Sequence, residues 1–224
     1  MAAYLKADAI NKIEETGLIP LFYHMDPTVC IEVVRSVFDA GCSVIEFTNR
    51  GDAAINSFSK IIEFSRTNYP EALVGAGSIN DPYIASHFIS MGADFIVGPS
   101  YNEQVARLCN KHQVLYVPGC ATVTEMMAAA EMGLNLIKIF PAGSLGGPDF
   151  IKAIRGPLPW IKTIPTGGVD TTKDDLKKWF EVGATAVGLG SNLISKKILD
   201  SADYSTLQDT TAQLLDTIAD LRNK

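Results

Sequence analysis

Leu136-Ile137-Lys138-Ile139-Phe140-Pro141 is a run of strand length, apolar except for one lysine, and its reading decides the fold. β-Branched and aromatic residues favour extended backbone, and the two-residue repeat sets Leu136, Lys138 and Phe140 on one face with Ile137 and Ile139 on the other. Lysine is seldom fully buried without a partner. The strand alone leaves three readings open: an edge lysine whose amine reaches water, a core lysine neutralised by a carboxylate, or a reactive amine.

Upstream of this strand, Thr122-x-x-Glu125 is a capping box opening a helix that ends at Gly133, preceded by a strand at Leu115-Tyr116-Val117 and a helix from Asn102 to His112. Earlier still, strands at Phe95-Ile96-Val97, Leu73 to Ala76, Ser43 to Thr48 and Leu18 to Tyr23 alternate with helices. Those helices open at Asp81-Pro82, run over Asp52 to Tyr69, and open at Asp26-Pro27, where an N-cap is followed by proline at the first helical position. A first helix covers Ala7 to Glu15. Downstream come a helix near Pro148, a strand at Thr163-Ile164-Pro165, a helix from about Thr172 to Glu181, a strand at Ala186 to Leu189, and a terminal helix over Asp203 to Lys224. Thr16-Gly17 and the Gly143 to Gly147 stretch read as loop.

Gly41, Gly92, Gly133 and Gly183 each fall between a helix and the next strand, as tight αβ turns require. Eight apolar strands alternating with amphipathic helices predict an α/β fold with a parallel sheet closed into a (β/α)8 TIM barrel. An open doubly wound sheet is the alternative. No linker or low-complexity run divides the chain, so a single domain is expected over residues 1–224, with its N-terminal and C-terminal helices as additions to the barrel.

The balance of 19 basic against 25 acidic residues gives a net charge of −6 without a basic run, which argues against a nucleic-acid partner and for a small polar ligand. Cys30, Cys42, Cys109 and Cys120 form no C-x-x-C and read as reduced packing residues. His24, His87 and His112 have no metal-ligand spacing, which argues against zinc. The opening Met1 to Asp8 is too polar for a signal peptide, and no apolar run reaches membrane-spanning length. A cytoplasmic location with no membrane partner is expected.

In a barrel the site lies at the carboxyl ends of the strands. Ser43 to Arg50 sets Val44, Glu46 and Thr48 on one face, with Arg50 just past the strand end at the same parity. If that face is interior, Glu46 approaches Lys138, either as a structural ion pair or as a catalytic pair. Pro165-Thr166-Gly167-Gly168-Val169 and Gly188-Leu189-Gly190-Ser191-Asn192 end the last two strands, and their glycines can present backbone N–H groups to a phosphate. Gly75-Ala76-Gly77-Ser78, Gly98-Pro99-Ser100 and Pro118-Gly119 supply small residues and hydroxyls at the ends of strands three to five.

Taken together, Ile45-Glu46-Phe47-Thr48-x-Arg50, Gly75-Ala76-Gly77-Ser78, Pro118-Gly119, Lys138-Ile139-Phe140-Pro141-Ala142, Pro165-Thr166-Gly167-Gly168 and Gly190-Ser191 resemble the 2-keto-3-deoxy-6-phosphogluconate (KDPG) and 4-hydroxy-2-oxoglutarate (KHG) aldolase family over about Gly17 to Ile194. The resemblance implies a class I aldolase on a (β/α)8 barrel that needs no metal or cofactor and assembles as a homotrimer. It implies that Lys138 forms the Schiff base with the 2-keto carbon and that Glu46 shuttles protons. Arg50 and Ser78 would hold the pyruvyl carboxylate, and Gly167, Gly168, Gly190 and Ser191 the distal phosphate. Pro99 and Phe140 would wall the pocket, and Thr166 would orient the Schiff-base region. Ser78 stands where many members carry threonine, Gly98-Pro99-Ser100 replaces a more usual Ser-Pro-Gly, and Asn49-Arg50-Gly51 replaces Leu-Arg-Thr.

An amine attacks a ketone only when neutral, a form that burial among apolar side chains favours. The resulting iminium is an electron sink for C3–C4 cleavage, and a base must take the C4 hydroxyl proton. The expected substrate is therefore a 2-keto-4-hydroxy acid, with pyruvate as one product. A barrel isomerase or synthase that binds a phosphosugar without a Schiff base is the competing reading.

Overall fold

The structure, a computed structural model, describes residues 2–222. After a first helix, α1 (Lys6–Thr16), the chain alternates β1 (Leu18–Phe22), α2 (Pro27–Asp39), β2 (Val44–Thr48), α3 (Ala54–Asn68), β3 (Leu73–Gly77), α4 (Pro82–Met91), β4 (Phe95–Val97), α5 (Glu103–His112) and β5 (Leu115–Val117). There follow β6 (Gly119–Cys120), α6 (Val123–Glu131), β7 (Leu136–Ile139), α7 (Pro148–Ile154), β8 (Lys162–Pro165), α8 (Lys173–Glu181) and β9 (Val187–Leu189). Two helices, α9 (Lys196–Ser201) and α10 (Tyr204–Arg222), complete the described chain.

The helix starts follow from their capping residues. Asp26 and Asp81 accept N–H groups of the first turn ahead of Pro27 and Pro82, and Thr122 and Glu125 make both halves of the capping box. Gly92 and Gly133 end α4 and the turn after α6 at φ of 107° and 72°, values that side chains with a Cβ rarely adopt.

All strand pairs are parallel. Six strands, in the order β5-β4-β3-β2-β1-β9, form one sheet that curls into a half-barrel, and β6-β7-β8 form a second sheet. The fifth strand lies where expected, at Leu115–Val117, and a short further strand, β6, follows it: Pro118 has no N–H to give a ladder, and the chain changes partner there, β5 pairing with β4 and β6 with β7.

Strand parity separates two cores. Ile19, Val44, Leu73, Phe95, Leu115, Leu136, Ile164 and Ala186 point to one side and pack with Ala9 and Ile13 of α1. Their sequence neighbours Leu18, Ile45, Val74, Ile96, Tyr116, Ile137 and Val187 point to the other side and pack with the helices. The N-terminal helix thus closes the amino ends of the strands, where Glu14 pairs with Lys162 of β8. Lys6 adds two ties, its N–H donating to the Gln113 carbonyl and its Nζ to the Gly133 carbonyl, both at 2.9 Å. The carboxyl ends of the strands stay open.

Candidate active site

Lys138 lies inside β7 with 7% of its surface exposed, between Gly119 of β6 and Ile164 of β8 in register. Its Nζ stands 5.2 Å from the centre of the Phe140 ring and makes no hydrogen bond or ion pair with any described residue. Glu46, 2% exposed, sits opposite Gly75 in the β2–β3 register on the same inward parity as Val44. Its Oε1 is buried without a hydrogen-bond partner among the described residues. The structural ion pair left open above is thus absent: lysine and carboxylate are both buried and neither neutralises the other.

Glycine makes room for Glu46 and for Thr166. A Cβ on Gly77 would stand 1.8 Å from Glu46 Oε1, and a Cβ on Gly188 would stand 2.3 Å from the Thr166 hydroxyl. Thr166 is buried between β8 and β9 and bridges to Gly188. A cavity of about 230 Å³ opens over Lys138 at the carboxyl ends of the strands. Arg50, Phe140, Thr166, Gly167 and Gly168 line it, as do Gly190 and Ser191 from the loop after β9. Arg50 Nε donates to Ser78 Oγ at 3.3 Å, so Ser78 meets the site through the guanidinium. Ser78 holds a left-handed backbone, φ 59°, and the next residue, Ile79, donates its N–H to the Val97 carbonyl of β4. Pro99, expected to wall the pocket, does not line the cavity; its carbonyl packs where a Cβ on Gly119 would come within 2.3 Å.

The two glycine loops expose donors. Among the described residues no acceptor lies within hydrogen-bond reach of the N–H groups of Gly168, Ser191 or Asn192, while Gly167 and Gly168 hold φ of 80° and 88°. A larger cleft of about 750 Å³ lies between α8 and α10, lined by Lys173, Lys177, Glu181 and Phe180. It contains no strand residue and no unpaired buried group, so the chemistry belongs to the smaller cavity.

Residues 9–210 match the family described as KDPG and KHG aldolase. The chain belongs to this aldolase family. Among its relatives, a 2-dehydro-3-deoxy-6-phosphogalactonate aldolase of Escherichia coli K12 is 33% identical over 177 residues, 79% of this chain and 83% of the relative. A 2-dehydro-3-deoxy-phosphogluconate aldolase of Haemophilus influenzae is 27% identical over 216 residues, 96% of this chain and 99% of the relative. A solved KDPG aldolase from Legionella pneumophila, with pyruvate captured at low pH as a covalent carbinolamine intermediate, superposes with a TM-score of 0.83 at 25% identity, covering 92% of this chain and 97% of that one.

Within this aldolase the structure brings Lys138, Arg50, Phe140, Thr166, Gly167, Gly168, Gly190 and Ser191 together at one cavity, while the expected Glu46, Ser78 and Pro99 are not among its lining residues. The sequence reading missed Leu21, Val169, Gly188 and Asn192, which complete the lining. Gly188 and Asn192 stand in the quoted loop after β9, and parity from the inward Ile19 would have pointed to Leu21. It also read Gly143 as loop only. Gly143 instead packs against Gly168: its N–H donates to the Gly167 carbonyl at 2.8 Å, and a Cβ on Gly168 would fall 2.7 Å from its Cα. Cys120, two residues past Pro118, has its thiol pushed up to about 12 by burial, so it is no nucleophile for this site.

Proposed function

We propose that this chain is a class I aldolase that cleaves a 2-keto-4-hydroxy acid, 2-keto-3-deoxy-6-phosphogluconate or 4-hydroxy-2-oxoglutarate, to pyruvate and an aldehyde. The observation that carries the reading is the buried Lys138 amine, without a polar partner among the described residues and lining a cavity, on the same inward strand parity as the buried Glu46 carboxylate, whose Oε1 has no partner either. Lys138 Nζ adds to the 2-keto carbon and, with loss of water, gives an iminium. The C4 hydroxyl gives its proton to Glu46, the C3–C4 bond breaks, and its electron pair enters the iminium to form an enamine. Return of the proton to C3 and hydrolysis release pyruvate. Arg50, steadied by Ser78, meets the substrate carboxylate, which a guanidinium can hold through two parallel hydrogen bonds.

The free N–H groups of Gly168 and Ser191 and the Ser191 hydroxyl receive the distal phosphate. Neither loop carries a lysine or arginine between Thr166 and Thr172 or between Gly188 and Ser195, so a shorter carboxylate-ended substrate is not refused. The aldehyde is then glyceraldehyde 3-phosphate or glyoxylate. Closure of the two sheets into a complete eight-stranded barrel belongs to the same reading, supported by the Thr166–Gly188 bridge and by β5 running into β6. A homotrimer does as well, supported by exposed Met25, Ile55 and Tyr83 after three successive strands, and light scattering gives its mass directly.

The test is pyruvate release from a panel of 2-keto-3-deoxy sugar acids of gluconate and galactonate configuration, with and without phosphate, together with borohydride reduction in the presence of pyruvate. Reduction is expected to inactivate the enzyme and to attach the three-carbon label to Lys138. A label on Lys152 or Lys162, or turnover that chelators abolish, would sink the Schiff-base proposal.

A further inference from the structure

We infer that Asn192 is a positioning residue for the distal end of the cavity, tying the two glycine loops together and setting the spacing of their donors. The inference rests on the phosphate reading above. Asn192 Nδ2 donates to the Val169 carbonyl at 2.8 Å, across 23 residues of sequence. Both residues line the cavity, and each directly follows a residue with a free N–H, Gly168 in one loop and Ser191 in the other. Among the described residues this is the one hydrogen bond between residues 167–171 and 190–195; below it the two segments join through the Thr166–Gly188 bridge and the Thr185 N–H bond to the Thr163 carbonyl.

The tie matters because Gly143 holds the glycine loop from the β7 side only, through its N–H bond to the Gly167 carbonyl, and leaves the spacing to the loop after β9 to be set. Gly167 and Gly168 both sit at positive φ, where glycine has the widest conformational freedom. The loop after β9 is a single turn, its Leu193 and Ile194 N–H groups both donating to the Gly190 carbonyl. A dianion held by N–H groups from both loops needs their separation fixed before it binds, since ordering them on binding would lower affinity. An amide at 192 provides this: one N–H holds Val169, while Oδ1 makes no hydrogen bond with any described residue.

The experiment compares Asn192→Ala, the isosteric Asn192→Asp and Gly168→Val with the wild type. Each is assayed on 2-keto-3-deoxy-6-phosphogluconate and on 4-hydroxy-2-oxoglutarate, with inorganic phosphate as a competing probe against the former. Asn192→Ala is expected to raise KM for the phosphorylated substrate about three- to tenfold, the effect of one neutral hydrogen bond. The phosphate inhibition constant should rise in parallel, kcat should change less than KM, and KM for 4-hydroxy-2-oxoglutarate should change several times less. Asn192→Asp should weaken phosphate more than Asn192→Ala does, with the excess shrinking as salt is added, because it loses the donor and adds a like charge. It also serves as the test should the alanine variant fail to fold. Equal losses on both substrates, or a fall in kcat alone, would overturn the positioning role. If Gly168→Val weakens phosphate while both Asn192 variants match the wild type, the Asn192 inference falls and the phosphate site stands. If phosphate fails to compete and none of the variants separates the substrates, both fall.

Discussion

Glu46 and Lys138 are costly residues to bury unpaired, and around Glu46 the fold gives up side-chain volume at Gly77 to keep it so. Glu46→Gln keeps the shape of the side chain and removes its basicity, so kcat should fall by roughly 10²–10⁴ while pyruvate trapping at Lys138 persists. Gly77→Ala makes the complementary test. Its methyl would stand 1.8 Å from Glu46 Oε1, so the carboxyl must move aside, and a misplacement of about 1 Å is expected to cost on the order of 10²-fold in kcat. Thermal unfolding followed by circular dichroism should find both variants folded. A Gly77→Ala enzyme with wild-type kcat would mean that the observed position of Glu46 has no part in turnover. Arg50→Lys should instead raise KM steeply, because a point charge cannot rebuild a forked clamp and cannot repeat the Nε bond to Ser78.

The elements that sequence located well are those whose ends are written in local chemistry. Asp26-Pro27, Asp81-Pro82 and Thr122-x-x-Glu125 start helices within a residue of the observed positions, because cap and proline act on the adjacent turn alone. Lys138 and Glu46 were legible for a similar reason: strand parity is local, and both fall on the inward side it assigns. The misses have remote causes. The 3₁₀ turn at Ala142–Leu145 is fixed by N–H bonds from Ala142 and Gly143 to the carbonyls of Thr166 and Gly167, and Asn192 acts through Val169. Helix α9, at 6 residues, is too short for an amphipathic repeat to declare itself. One long-range joint carries a prediction of its own. Asp94, fully buried, accepts the Ala3 and Val74 N–H groups at 2.9 Å and pairs with Arg66 at 2.7 Å, so it joins the N-terminal segment, β3 and α3. Asp94→Ala leaves a partly buried guanidinium without its carboxylate and is expected to cost about 3–5 kcal/mol in urea unfolding. A loss below about 1 kcal/mol would show that the joint is not a source of stability.

Across the whole molecule, the layer between sheet and helices holds acids whose charged forms it does not tolerate. Cys30, Cys42, Cys109 and Cys120 are buried in that layer, and burial pushes each thiol up to about 12 from 9.0. Tyr116 in the same layer is likewise raised by burial, and Tyr69 at its edge is pushed up to about 12 by burial and by its hydrogen bond to Asp39. Between pH 9 and 12 the unfolded chain has released these protons and the native one has kept them, so the unfolded state binds fewer protons and stability falls as pH rises. Their contribution is fully present below the ordinary thiol value of 9.0 and is lost progressively toward about 12. Lys6, whose ammonium is disfavoured by burial, has the opposite sign in this range, but it is one group against several. Each retained proton contributes a slope of about 1.4 kcal/mol per pH unit once the unfolded thiol is ionised. Urea unfolding at pH 7, 8, 9, 10 and 10.5 should therefore find a stability steady to about pH 8.5 and falling steeply beyond it. Cys42→Ala, at the most enclosed thiol, should flatten that fall by about one proton's slope. The four thiols should also resist a thiol reagent at pH 8 until the chain is unfolded, since the thiolate is the reactive form. Stability that held or rose from pH 9 to 10.5, or rapid native labelling at pH 8, would contradict a helix-facing core built to keep its acids neutral.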